Sequence, residues 1–164
     1  AWNLALPSPN SFWNSGLQGT KPYSLEVLND QELVSGLENQ IIKWRFNSQS
    51  PLAFISTSSI VFCLKVIVIN NIERLAACVG SALRIYNILN LNFISTLYTH
   101  GDHIRKIDLF SENIIISVSD DNTARIFDFS QNLQRLSRQL HNGEKINSVV
   151  FMGNGLFATS GLDK

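Results

Sequence analysis

The feature that most constrains this chain is an internal repeat with a period of about 41 residues. Each copy has an apolar segment, a short turn rich in Ser, Gly, Asn or Asp, and a basic residue followed by apolar or aromatic ones. The copies lie at 33–45, 75–86, 115–127 and, in part, 157–163. The first and third align without a gap at a separation of 82 residues. Such a period predicts supersecondary units that stack on their neighbours to bury a continuous core.

The residue pattern inside each copy predicts β-structure. In the clearest unit, segments rich in Ile, Val, Leu, Phe and Thr run over 92–98, 104–110, 113–119 and 123–129, with turn residues between them. The run 60–69 is apolar on both faces, which is typical of a sheet buried between two neighbours. Charged residues make up only 16% of the chain, below the roughly 25% of an average soluble domain. We therefore predict an all-β chain of stacked four-stranded sheets.

The most specific stretch runs from His100 to Asp128. It contains a His four residues before an innermost strand, then Ser117 and Asp121 around the next turn, then Phe127 before Asp128. With the period and the four strands per unit, this stretch resembles the WD-repeat (tryptophan-aspartate repeat) β-propeller family over nearly the whole chain. The Trp-Asp dipeptide is degenerate, and its places are assigned to Arg45-Phe46, Tyr86-Asn87 and Phe127-Asp128.

The resemblance implies a single partial propeller over residues 1–164, with four blades' worth of antiparallel four-stranded sheets. Its expected parts are the end of one blade with a loop insertion at 1–21, whole blades at 22–57, 60–98 and 104–140, and the first strands of a further blade at 146–164. We expect a fragment of a seven-bladed ring. The alternative is a four-bladed ring closed by pairing the strands at the two ends, since closure would remove exposed sheet faces.

Six residues form two constellations that look catalytic on paper. The resemblance instead places each in a structural hydrogen-bond network, with the His in the loop before the innermost strand. The two sets are His100, Ser117 and Asp121, and His141, Thr159 and Asp163. Phe127 stands where the family has an indole donor, so we expect the first network to have only three members. No phosphate loop, nucleophile elbow or zinc spacing occurs, so we predict no enzyme activity, cofactor or metal.

The charge and the cysteine content indicate the cellular compartment and the class of partner. The chain has 13 Lys and Arg against 13 Asp and Glu, which argues against binding nucleic acid through this segment and against a polybasic membrane patch. No run approaches the roughly 18 apolar residues of a membrane span. Cys63 and Cys78 are predicted to face each other across adjacent strands as buried reduced thiols. We predict an intracellular protein of the cytoplasm or nucleus.

The partner-binding residues are predicted from the resemblance, which brings two sets of loops to one end of every blade. With strands lettered a to d from the inside outwards, these are the d–a loops and the b–c turns. The candidates are Lys21, Glu38, His103, Asp120, Glu144 and Lys145. This mixed charge favours a non-catalytic scaffold that binds proteins or peptides within a multi-subunit complex. The alternative is a non-catalytic, RNA-associated subunit that positions an RNA-processing or RNA-modifying enzyme and has a basic loop face.

Overall fold

A computed structural model describes residues 21–46, 48 and 50–163. The expected blade end and loop insertion at 1–20 lie outside these residues. Blade I consists of β1 (Ser24–Asn29), β2 (Glu32–Gly36), β3 (Gln40–Arg45) and β4 (Ala53–Ser56). Blade II consists of β5 (Val61–Ile69), β6 (Ile72–Val79), β7 (Ala82–Asn87) and β8 (Phe93–Thr99). Blade III consists of β9 (Ile104–Ser111), β10 (Ile114–Ser119), β11 (Thr123–Asp128) and β12 (Leu133–Gln139). A 3-10 turn at His141–Gly143 precedes a fourth, two-stranded sheet, β13 (Ile146–Gly153) and β14 (Leu156–Gly161).

Every sheet is antiparallel, and its strands follow one another in sequence order. The first strands of successive sheets, β1, β5, β9 and β13, pack beside one another. The four sheets are therefore arranged side by side around their innermost strands, as in a propeller. This arrangement confirms the prediction of an all-β chain built from stacked antiparallel sheets.

The hydrophobic core lies between the sheets. Val34 and Ile41 of blade I pack in one cluster with Val61 and Leu75 of blade II. Equivalent clusters join blade II to blade III and blade III to the fourth sheet. Strand β6 is buried on both faces from Leu75 to Val79. Each blade thus gains most of its hydrophobic stabilisation from its neighbours.

Turn length fixes the register of each hairpin, and it corrects one prediction. In blade I, Leu33 pairs with Trp44, whereas in blade III Ile115 pairs with Phe127. Between the pairs Gly36–Ile41 and Val118–Ala124, the chain has four residues in blade I and five in blade III, and this length sets which residues face each other. Trp44 takes the place of Phe127, so the assignment of that place to Arg45 is wrong by one residue.

Candidate functional site

One end of the blades gathers the d–a loops and the b–c turns, which we call the loop end. Three backbone hydrogen bonds tie these segments together around blade II. The N–H of Gly80 donates to Ile60 O at 2.9 Å, the N–H of Ile104 to Gly80 O at 2.8 Å, and the N–H of Asp120 to His103 O at 3.0 Å. The loop end comprises the d–a loops 57–60, 100–103 and 140–145 and the b–c turns 37–39, 80–81 and 120–122.

The first predicted constellation is assembled in blade III. His100 Nδ1 lies 2.9 Å from Asp121 Oδ2, and His100 Nε2 lies 2.8 Å from Ser117 Oγ. Burial lowers the pKa of His100 and outweighs the attraction of Asp121, so the imidazole is neutral. An ionised carboxylate can only accept, so Nδ1–H donates to Asp121 and Nε2 accepts from the Ser117 hydroxyl. The network ties the d–a loop to the b–c turn of the same blade.

Sequence reasoning missed two members of this network, so the prediction of three members is wrong. The Thr123 hydroxyl donates to Asp121 Oδ1 at 2.6 Å, and Arg125 donates to Asp121 Oδ2 at 3.3 Å. Burial opposes ionisation of Asp121, but hydrogen bonds from Thr123, Gly101 and His100 bring its pKa down to about 2. The signal in the sequence is a Thr two residues after an Asp, which is typical of a local Asx turn.

The order Asp121, His100, Ser117 is that of a hydrolytic triad, but the site is closed. The side chain of His100 is 0% exposed, and Ser117 is 0% exposed. A nucleophilic Ser must present its oxygen to a substrate carbon. The Ser117 hydroxyl has no such access, and the geometry supports a structural network.

The second constellation lies at the end of the described chain. His141 Nδ1 is 2.5 Å from Asp163 Oδ1, and His141 Nε2 is 2.9 Å from Thr159 Oγ1. The order of groups is that of blade III, with Thr in place of Ser. Its Asp side chain is 33% exposed, against 12% for Asp121.

Blade I has a separate buried side-chain hydrogen bond. The indole N–H of Trp44 donates to Ser35 Oγ at 2.9 Å, and both residues are buried. Sequence reasoning missed this hydrogen bond, because the one-residue difference in turn length shifts Trp44 out of alignment with Phe127.

An aromatic and cationic cluster, which we call the rim cluster, lies at the start of the innermost strands. Its members are Tyr23, Phe62 and Arg105. The Arg105 guanidinium carbon lies 4.2 Å from the centroid of the Phe62 ring, a cation–π contact. The Tyr23 ring meets Phe62 edge to face, with centroids 5.4 Å apart and an interplanar angle of 77°. The cluster joins blades I, II and III at the loop end.

Three of the predicted loop residues gather at the rim cluster. Asp120 accepts from Arg105 Nε at 2.8 Å and Nη2 at 2.5 Å, and Lys145 Nζ approaches it at 3.4 Å. The hydrogen bond with Asp120 raises the pKa of Arg105. The His103 ring meets Phe62 edge to face at 5.5 Å. Asp120, Lys145 and His103 therefore converge.

The other three predicted loop residues stand apart. Lys21, Glu38 and Glu144 are exposed, and no hydrogen bond or ion pair joins them to the rim cluster within the described ranges. They lie on the surface around the loop end.

Three ligand atoms of Asp102, His103 and Asp120 lie within 4.8 Å of one another, close enough to consider a metal ion. The Asp120 carboxylate, however, is already engaged by Arg105 and Lys145. These two cations compensate its charge, so the geometry favours an ion-pair network over a cation site.

No family model and no curated protein matches the sequence. Solved structures match the fold. The RRP9 WD40 repeats superpose with a TM-score of 0.72 at 19% identity, covering 87% of this chain and 46% of that one. U3-55K gives 0.72 at 18% identity with coverage of 87% and 46%, and the C-terminal WD40 domain of Sif2 gives 0.70 at 19% with 86% and 41%.

These similarities confirm the predicted WD-repeat β-propeller at the level of fold. The chain spans less than half the length of the solved chains that it matches. In the part of the chain that the structure describes, no helix has the length and hydrophobicity needed to span a membrane.

Proposed function

We propose that this chain is a non-catalytic scaffold that binds partner proteins through its loop end. The observation that carries this proposal is the rim cluster, where Arg105 lies over Phe62 beside Tyr23. Aromatic and arginine side chains are enriched at the residues that dominate the energy of protein interfaces. Tyr23 is 39% exposed, so the cluster offers an aromatic surface to a partner.

The rim cluster is held in place before any partner binds. Asp120 fixes the Arg105 guanidinium through two hydrogen bonds, and Phe62 supports it from one side. A side chain that is already ordered loses little conformational entropy on binding, which favours affinity. A rigid sheet arrangement that carries preordered side chains is suited to act as a platform.

Two further observations support the rest of the proposal. Ser117, the only candidate nucleophile of the triad-like set in blade III, is completely buried, which supports a non-catalytic role. Both cysteines are free and buried, which is typical of a reducing compartment. We therefore propose an intracellular subunit of a larger protein complex.

The test is quantitative co-purification with the full chain from cells. Phe62→Ala and Arg105→Ala should each reduce recovery of the same set of partner proteins by at least about tenfold, the loss expected for an interface residue worth 1.4 kcal/mol or more. Glu112→Ala is the matched control, because Glu112 is an exposed residue in the turn between β9 and β10, at the end of blade III opposite the loop end. Thermal melts should establish that all variants are folded. Unchanged recovery with both rim variants would refute the proposal.

The same preparations separate protein binding from the RNA alternative. The balanced charge of 13 basic and 13 acidic residues favours a protein partner. RNA binding by the purified chain should be weak and unaffected by Arg105→Ala. A tight RNA complex whose affinity falls steeply with salt, and falls further in Arg105→Ala, would favour the RNA-associated role instead.

A further inference from the structure

Blade II retains an arginine but lacks the carboxylate that pairs with it in blade III. Arg125 on β11 reaches Asp121 at 3.3 Å. Arg84 on β7 is its equivalent, since Ala77 faces Arg84 as Ser117 faces Arg125. Within the described ranges no carboxylate lies at ion-pair distance from Arg84.

Blade II lacks an equivalent of Asp121 because its b–c turn is shorter. Val79 pairs with Ala82, so the b–c turn of blade II has only Gly80 and Ser81, whereas that of blade III spans 120–122. Asp121 therefore has no counterpart in blade II. The other members of the network are also replaced, because Thr57 stands in the place of His100 and Ala77 in the place of Ser117.

A cavity of about 290 Å³ lies beside this shortened turn. We call it the blade II cavity. Ser58, Ser59, Ser81 and Arg84 line it, and the Arg84 guanidinium donates to Ser58 Oγ at 3.2 Å. Gly80 adopts a φ of +59°, and a Cβ there would approach Ser59 Oγ to 2.9 Å. A glycine is therefore needed at this position.

We propose that the blade II cavity receives a carboxylate from an Asp or Glu side chain of a partner protein, in the role that Asp121 has in blade III. This inference rests on the proposed protein-binding function of the loop end. Arg84 would pair with the carboxylate, and Ser59 and Ser81 would donate hydrogen bonds to it. Hydrogen bonds between a cation and a carboxylate are about twice as strong as neutral ones.

A second charged residue of the cavity favours a carboxylate over a phosphate. Asp102 lines the cavity and lies 2.9 Å from His103 Nδ1. Its negative charge repels a phosphate, which carries about −1.5 to −2 at neutral pH, more strongly than a carboxylate, which carries −1.

The test is an NMR titration of the isotope-labelled full chain with N-acetyl-aspartyl amide as the probe. We expect saturable shifts confined to the amides of Gly80, Ser81 and Ala82 and to the Arg84 side chain. The matched probe N-acetyl-asparaginyl amide, which has the same shape without the charge, should produce none of these shifts. N-acetyl-phosphoseryl amide should bind no more tightly than the aspartyl probe.

Two variants connect binding to the cavity itself. Arg84→Gln should weaken binding of the aspartyl probe at least about tenfold, which corresponds to about 1.4 kcal/mol, because the charged hydrogen bond to the probe is lost. Ser81→Asp supplies a carboxylate within the chain and should weaken probe binding to a similar extent without lowering the melting temperature. Arg138→Gln, which removes an exposed arginine on β12, should bind like the wild type.

Three results would overturn the inference: equal shifts with the asparaginyl probe, unchanged binding by Arg84→Gln, or tighter binding of the phosphoseryl probe. Co-purification with the same variants separates this inference from the proposed function. Partners lost by Phe62→Ala but kept by Arg84→Gln would refute the role of the cavity in partner binding and leave the loop-end function intact. Partners kept by Phe62→Ala, with probe binding lost in Arg84→Gln, would refute the loop-end function and leave a carboxylate site.

Discussion

Replacing Asp121 with Ala tests whether the polar network holds blade III together. The Asp121 carboxylate accepts from His100 Nδ1 at 2.9 Å, from the Gly101 N–H at 2.8 Å and from the Thr123 N–H at 3.0 Å. The side chain of His100 is 0% exposed, so its N–H cannot turn to water. The substitution therefore leaves this buried donor with only the longer contact to Thr123 Oγ1 at 3.2 Å.

The expected cost follows from these contacts. An unsatisfied buried donor costs about 1–3 kcal/mol, and a hydrogen bond to a charged group contributes about 1.5–3 kcal/mol. The backbone donors of Gly101 and Thr123 lie near the surface and can recover water, so the contributions do not add fully. We expect a loss of about 2–4 kcal/mol in the free energy of unfolding. At about 2–4 °C per kcal/mol, the melting temperature should fall by about 4–16 °C.

The assay is thermal unfolding of wild type and Asp121→Ala as a function of pH, with Asp30→Ala as a control at an exposed turn. The pKa of Asp121 falls from its ordinary value of 3.8 to about 2 in the folded chain. Its stabilisation is therefore complete above pH 3.8 and is lost as the pH falls through about 2. The gap between the two melting temperatures should narrow over that range. A difference below about 1 °C at neutral pH would refute the assignment.

Three other perturbations address the remaining contacts. Trp44→Phe removes the 2.9 Å hydrogen bond to buried Ser35 and should cost about 1–2 kcal/mol in urea unfolding; an unchanged midpoint would contradict this role for the indole. Asp108→Ala removes an acceptor that holds a backbone N–H of β13 at 2.8 Å and should cost about 0.5–1.5 kcal/mol, whereas equal stability would show that the contact between blades is not needed. Cys63 and Cys78 face each other at 3% and 0% exposure, so a thiol reagent should label them only after unfolding, and rapid labelling of the native chain would disagree.

The fold could be predicted because it depends on features that the sequence displays directly. The repeat period indicates stacking, and the apolar run at 60–69 indicates burial of both faces of a sheet. The pairing register of the strands was harder to predict from the sequence. A one-residue change in turn length moves Trp44 by one position relative to its partner strand, without changing the composition of the repeat. The hydrogen bond between Trp44 and Ser35 was missed for this reason.

The rim cluster could not be predicted from alternation. Register shifts between Val61 and Cys63 and between Val118 and Ser119 place a bulge at the second residue of strands β5 and β9. Phe62 and Arg105 occupy these bulges, where a residue is left out of the regular pairing. Strict alternation of inward and outward side chains cannot locate a bulge, so neither residue was predicted as part of a site.

Blades II and III obtain their cohesion in different ways, and this difference explains where a binding site can arise. Blade III buries a charged network. Removing one member leaves the remaining polar groups without hydrogen-bond partners, so these residues are not available to bind a ligand. Blade II relies on a strand that is apolar on both faces, and Ala77 and Cys78 at its centre are 0% exposed. Because apolar packing does not require a carboxylate beside Arg84, its guanidinium, which donates to Ser58 Oγ, can also pair with a carboxylate supplied from outside. We therefore propose the binding site at the blade that lacks the network.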